Sequence, residues 1–296
     1  MKEPSELELR LRKAFSRMIE LAVTDLPRNV ENAIDEAYRR EESDIGKQQL
    51  AAILENVRLA REKGIPMCQD TGVPMFHLRV GDEFPLKSGL EETVLDSVRR
   101  ATASSLLRPN VVDSITRRNT GDNTGMRIPY VEFDLCEGNE LDVEFIPKGA
   151  GSENMSRLQM LNPGEGFQGV KQVVLETVVS AGGKPCTPGI VGVGVGLGAE
   201  GVMRLARKAS IRPLPRRNPD PSIAALESDV LESVNRLGIG PMGLGSSSTA
   251  LAVNIETGHT HTAQLPVGII FQCWAARRAE ARIYPNGRAQ YLSHEA

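Results

Sequence analysis

Residues 66–72 read PMCQDTG, so a thiol, an amide, a carboxylate and a hydroxyl follow one another between a proline and a glycine. Such groups in one turn could ligate a metal, polarise a small substrate or move a proton. Cys68 has counterparts far along the chain: Cys186 lies in GKPCTPG between two prolines, and Cys273 ends the apolar run PVGIIFQ. Each of the three falls at a break in regular structure, where distant segments can converge with their side chains unencumbered. Three thiolates suit a four-iron cubane with one iron left open, which can bind a substrate oxygen as a Lewis acid instead of passing electrons. Spacing alone leaves a plainer reading open, because dispersed cysteines are commonly buried and inert. Cys136, the fourth cysteine, belongs to an alternating strand and has an ordinary packing explanation.

Three other stretches carry chemistry-bearing side chains. GHTHTAQLPV sets His259 and His261 two residues apart in an extended segment. Their rings then point the same way, either as metal ligands or as solvated loop residues. Arg108 in SLLRPN offers a planar fork that suits a carboxylate, or else caps the preceding helix. GVGVGLGA fits a relaxed dinucleotide fingerprint, Gly194-x-Gly196-x-x-Ala199. The segment after it runs into RPLPRRNPDP and not into a second strand ending in an acid, so close helix–strand packing explains the glycines better.

The elements that must position these groups follow from periodicity. Leu50, Ile53, Leu54, Val57 and Ala60 mark one buried helix face, ended by Gly64 and Pro66. VPMFHLRVG reads as a strand. YVEFDLC and ELDVEFI alternate apolar and acidic residues around EGN, a β-hairpin pattern. Residues 167–180 and 199–209 read as helices and GIVGVGVG as a buried strand. Asp220 and Pro221 open a helix that Gly238 closes. TALAVNI and PVGIIFQ are the last apolar strands before a basic C-terminal segment. The fold class expected is mixed α/β within a single domain over 1–296: a helical N-terminal lobe at about 1–65, then a sheet-containing lobe with flanking helices at about 66–296.

Bulk composition narrows the function classes. With 296 residues, 40% hydrophobic and 25% charged, the chain can bury a sizeable core. A net charge of -3 with both signs interspersed gives no footprint for nucleic acid. No apolar run reaches the roughly 18–20 residues that cross a bilayer, and the charged start MKEPSELELRLRKAF is no signal peptide. A cytoplasmic location is the expectation.

Taken together and in order, CQDTG, LRPN, NTGDNTG, PKGAGSEN, CTPGIVGVG, RPLPRRNPDP, LGIGPMGLG and the HTHTA…C pair resemble the α subunit of the two-subunit class I iron–sulfur fumarate hydratases, over residues 15–290 or so. The L(+)-tartrate dehydratase α subunits share that scaffold. The resemblance implies a 4Fe-4S cluster held by Cys68, Cys186 and Cys273, with one iron not ligated by cysteine and Cys136 without a role. It implies that Gln69 and Asp70 contact substrate, with Asp70 the proton donor to the departing hydroxyl. Arg108 and His261 would bind substrate carboxylates, and Gly151 would offer its backbone. The activity implied is a hydro-lyase reaction, the reversible hydration of fumarate to L-malate. Dehydration of L(+)-tartrate to oxaloacetate is the alternative, and a non-catalytic scaffold subunit a further one. HTHTAQLPV and KGAGSEN follow the fumarase pattern, whereas Trp274 in CWAARR is the residue that tartrate dehydratase α subunits carry there. No catalytic base occurs in any motif recognised. The resemblance therefore implies a separate β subunit that supplies the base and further carboxylate contacts, in an (αβ)2 hetero-oligomer.

Overall fold

The computed structural model describes residues 4–294. In chain order they form α1 (Glu6–Thr24), α2 (Arg28–Arg40), α3 (Asp44–Lys63), β1 (Val73–Gly81), α4 (Leu90–Ala103), β2 (Tyr130–Cys136), β3 (Leu141–Lys148) and the single turn α5 (Ala150–Glu153). There follow β4 (Arg157–Leu161), α6 (Gly166–Ala181), β5 (Gly189–Leu197), α7 (Ala199–Ser210), α8 (Pro221–Arg236), β6 (Ala250–Thr260), β7 (Leu265–Gln272), β8 (Ala279–Ile283) and β9 (Ala289–Tyr291). The class is mixed α/β, as the sequence predicts. Among the described residues no helix is long and apolar enough to cross a membrane.

Local signals act as expected at several ends. Ser5 and Glu8 form a reciprocal capping box at the start of α1. Asp220 accepts hydrogen bonds from the N–H groups of Ser222 and Ile223, with Pro221 in the first turn of α8. Gly64 takes the left-handed conformation that stops α3. In α3, Leu50, Ile53, Val57 and Ala60 are buried, which is the face its periodicity marks.

The chain divides into two compact units, one of residues 4–28, 57–150 and 277–294, the other of residues 29–56 and 151–276. The helical N-terminal segment is present, but it is shared between the units: α1 lies in the first and α2 in the second. An amphipathic helix settles where its apolar face finds a partner, and for α1 that partner is a sheet made from later sequence.

In the first unit five strands run in the order β2-β1-β3-β8-β9, with β2 parallel to β1 and the other pairs antiparallel. The hairpin expected of YVEFDLC and ELDVEFI does not form, because β1 lies between β2 and β3 and pairs with both. Alternation specified two half-wet strands; it could not specify that a third would take the place between them. One sheet face (Phe76, Leu78, Val80, Val143, Phe145, Ala281) is buried with Phe15, Met18 and Ile19 of α1 and Val94 and Val98 of α4. The opposite face carries charge: Arg79 pairs in register with Asp142 and Asp142 with Arg282, His77 with Glu144 and Glu144 with Glu280.

The second unit holds a four-stranded sheet, β4-β7-β5-β6, with helices on both faces. Val191 and Val193 of β5 join a core with Val174 of α6 and Val230 of α8. The alternate residues Gly192 and Gly194 face α7. A Cβ on Gly194 would stand 2.1 Å from the Val202 carbonyl oxygen, and one on Gly192 would stand 2.3 Å from that of Ala206. The glycine-rich strand therefore serves helix contact, as the failed dinucleotide pattern predicts.

Candidate active site

In the first unit the loop between α3 and β1 is pinned from its buried hydroxyl outwards. Thr71 is fully buried, and its Oγ1 accepts from the Arg108 backbone N–H at 2.9 Å and from Asn110 Nδ2 at 3.2 Å. Asp70, next to it, is held at both carboxylate oxygens. Oδ1 accepts from the Gly72 N–H at 2.9 Å and from Asn110 Nδ2 at 3.4 Å, and Oδ2 accepts from the Ala150 N–H at 2.8 Å. Such donors fix the carboxylate in one orientation without a counter-ion. Gln69 is exposed, and its carbonyl accepts from Nη1 of Arg108 at 3.3 Å, which leaves the Arg108 guanidinium on the surface against the residue that precedes Asp70.

The LRPN stretch has a clamp of its own. Buried Asn123 donates through Nδ2 to the Arg108 carbonyl at 2.8 Å and accepts through Oδ1 from the N–H groups of Asn110 and Val111. Asn119 donates to the Pro109 carbonyl at 2.7 Å. The asparagines of NTGDNTG are thus the supports of LRPN, and CQDTG and LRPN form one cluster in three dimensions. Asn110 and Asn123 escaped the assignment of roles from sequence; their signal was the repetition of asparagine in the two motifs.

In the second unit Cys186 sits before β5 and Cys273 just after β7, at one end of an antiparallel pair in which Ile190 opposes Gln272. The Trp274 N–H donates to the Cys186 carbonyl at 2.9 Å, so the two cysteine segments are joined directly. Cys186 adopts the left-handed backbone conformation, φ 59°, and Trp274, the residue after Cys273, is buried. His261 follows β6, at the other end of the sheet, where its Nδ1 accepts from the Ala263 N–H. Eight residues of β7 at about 3.3 Å each separate that end from Cys273. Gly151 is exposed at the start of this unit's second segment, with the Lys184 carbonyl oxygen 3.2 Å from where its Cβ would be.

The donor chemistry suits a soft metal. Cys68, Cys186 and Cys273 are each half-buried and none is in a disulfide, so solvent-side access and thiolate ligation are both available. Among the described residues no three His, Cys, Asp or Glu side chains surround a single ion site. A cluster asks for something else, one thiolate for each of several irons. Cys136 ends the edge strand β2, in the first unit, where its neighbours in sequence are exposed.

The family model described as Fumarate hydratase (Fumerase) matches residues 12–282. The chain is 48% identical over 262 residues to the putative L(+)-tartrate dehydratase subunit alpha of Methanocaldococcus jannaschii, spanning 87% of this chain and 92% of that one. It is 35% identical over 281 residues to the L(+)-tartrate dehydratase subunit alpha of Escherichia coli K12, spanning 95% and 92%.

Proposed function

The chain belongs to the fumarate hydratase family, and from that premise we propose that it is the α subunit of an iron–sulfur hydro-lyase for a four-carbon 2-hydroxy-dicarboxylate, with L-malate and fumarate as the substrate pair. The observation that carries the reading is the Asp70 carboxylate, held by backbone and amide N–H donors, with the surface guanidinium of Arg108 on the carbonyl of the neighbouring Gln69. An acid that must act on a hydroxyl needs a fixed direction, and a dicarboxylate needs a fork to orient it.

In the dehydration direction the C–O bond of the substrate breaks, the oxygen leaves with the electron pair, and Asp70 gives it a proton to form water. In hydration Asp70 takes a proton back from water. The Ala150 and Gly72 N–H groups keep the carboxylate in place through both directions, which spares reorganisation when charge returns to it. Arg108 binds one substrate carboxylate and Gln69 contacts the substrate, while the family resemblance adds the Gly151 backbone as a further contact. Cys68, Cys186 and Cys273 would hold the 4Fe-4S cluster, which when bound supplies Lewis acidity at the iron without a cysteine. The proton on the carbon beside the other carboxylate goes to a base on a β subunit. His261 stands the length of β7 from Cys273, so in this reading it reaches substrate carboxylate in the site of a second copy, within an (αβ)2 assembly.

L(+)-tartrate is a second reading, favoured by the names of the relatives at 48% and 35% identity and by Trp274. Anaerobic reconstitution tests both. Expected are about four irons and four sulfides per chain, lost in Cys68→Ser, Cys186→Ser and Cys273→Ser and kept in Cys136→Ser. Turnover of L-malate against L(+)-tartrate by the loaded chain combined with its β subunit then assigns the substrate; a chain that takes up no iron and, with that partner, turns over neither refutes the hydro-lyase.

A further inference from the structure

Arg277 is 3% exposed, and its Nε and Nη1 atoms have no hydrogen-bond partner among the described residues. A guanidinium taken out of water without an anion is strongly unfavourable, so such a group is either paired within the fold or kept for a charged ligand. The next residue shows the paired case: Arg278, also buried, donates to Glu280 and stands 4.0 Å from Glu144. Arg277 instead sits beside Asp70. A Cβ built on Gly149 would lie 3.2 Å from Asp70 Oδ2 and 3.5 Å from Arg277 Nη2. The missing side chain at position 149 leaves room that is within contact distance of both a carboxylate and a cation. Asp70 does not serve as acceptor for Nε or Nη1, its oxygens being taken by Gly72, Asn110 and Ala150.

The arrangement provides donors for an anion next to the proton-transferring acid, and we infer that Arg277 binds a carboxylate of the substrate there. The inference rests on the dicarboxylate reading above and adds a residue to it. Arg108 stands on the Gln69 side of Asp70 and Arg277 on the Gly149 side. A substrate with a carboxylate for each would be oriented across Asp70, whereas a monocarboxylate would leave the buried cation unmatched, the stronger basis for discrimination.

Succinate, a dicarboxylate with no hydroxyl to eliminate, isolates this recognition. Its dissociation constant is measured by calorimetry on the complete enzyme for wild type, Arg277→Met, Arg277→Lys and Gly149→Ala, with iron content and melting temperature recorded for each. Arg277→Met is expected to weaken succinate about 100-fold and Arg277→Lys about 10-fold, since lysine keeps the charge and loses the fork. Gly149→Ala, whose methyl would occupy the gap, is expected to weaken it too, with melting temperature and iron unchanged. If Arg277→Met does not fold, the other two variants decide. Unchanged affinity in Arg277→Lys and Gly149→Ala overturns the inference, as does no succinate binding by wild type. Loss of iron with succinate affinity intact also overturns it, assigning Arg277 to the cluster. Failure of wild type to turn over L-malate and L(+)-tartrate would instead remove the hydro-lyase reading, and the succinate series would still report on Arg277.

Discussion

Asp70 and Glu144 show how far two carboxylates can differ by surroundings. Asp70 is oriented by N–H donors at the end of a loop. Glu144, on the charged face of β3, has its carboxyl pushed up to about 7 by burial; the neighbouring Arg278 pulls it down and Glu280 adds to the push. It lies across from His77 on β1 and Glu280 on β8. The sign of the consequence follows from linkage. The folded-state value is above the ordinary 4.5, so between pH 4.5 and 7 the unfolded chain binds fewer protons, and stability falls as pH rises through that window and stays lowered above it. Glu144→Gln removes the titrating group. It is expected to raise stability relative to wild type at pH 8, by up to roughly 3 kcal/mol, and to change little near pH 4.5. Denaturant unfolding at the two pH values checks this, and an equal difference at both would contradict the burial account.

Among the elements, the connector RPLPRRNPDP illustrates a fixed irregular segment. Arg212 is buried against Glu227 of α8 and Glu256 of β6, and donates through Nη2 to the Ile255 carbonyl at 2.6 Å. Glu227, fully buried, also accepts from the N–H groups of Ile255 and Asn218. Proline stiffens this connector, but its course is set by one ion-pair network that ties it to a helix and a strand. Glu227→Ala would leave Arg212 paired with Glu256 alone and would strip the acceptor from its Nη1 and from two backbone donors, a loss of about 3 kcal/mol. Urea unfolding measures it, and a loss below about 1 kcal/mol would mean the network relaxes into water. Both partners were visible in sequence as ordinary charged residues; only their burial makes them a pair.

For the whole molecule, the relatives at 48% and 35% identity are each named subunit alpha, and the proposed site has a candidate acid in Asp70 and candidate carboxylate-binding arginines but no base assigned within it. The chain purified alone and loaded with iron and sulfide under anaerobic conditions is expected to turn over less than about 1% of the complete enzyme's rate, since an unassisted carbon acid next to a carboxylate is weak. Adding the proposed β subunit should restore it. Full turnover by the lone chain would show that it carries its own base.

Periodicity and caps determined the helices α3, α6, α7 and α8 and the strands β1, β5, β6 and β7, because helix and strand faces are written at short range as spacing and end residues. Residue types alone likewise set CQDTG, LRPN and the cysteines apart as candidates for chemistry. Tertiary structure alone decided that β1 separates β2 from β3, that α1 and α2 belong to different units, and that Asn123 braces LRPN. It also decided that Arg277 is buried with unmatched donors while Arg278 beside it is paired. Partner choice between segments is a contest among many similar apolar faces and donors, and it is settled by which contacts can be made together, which no local pattern records.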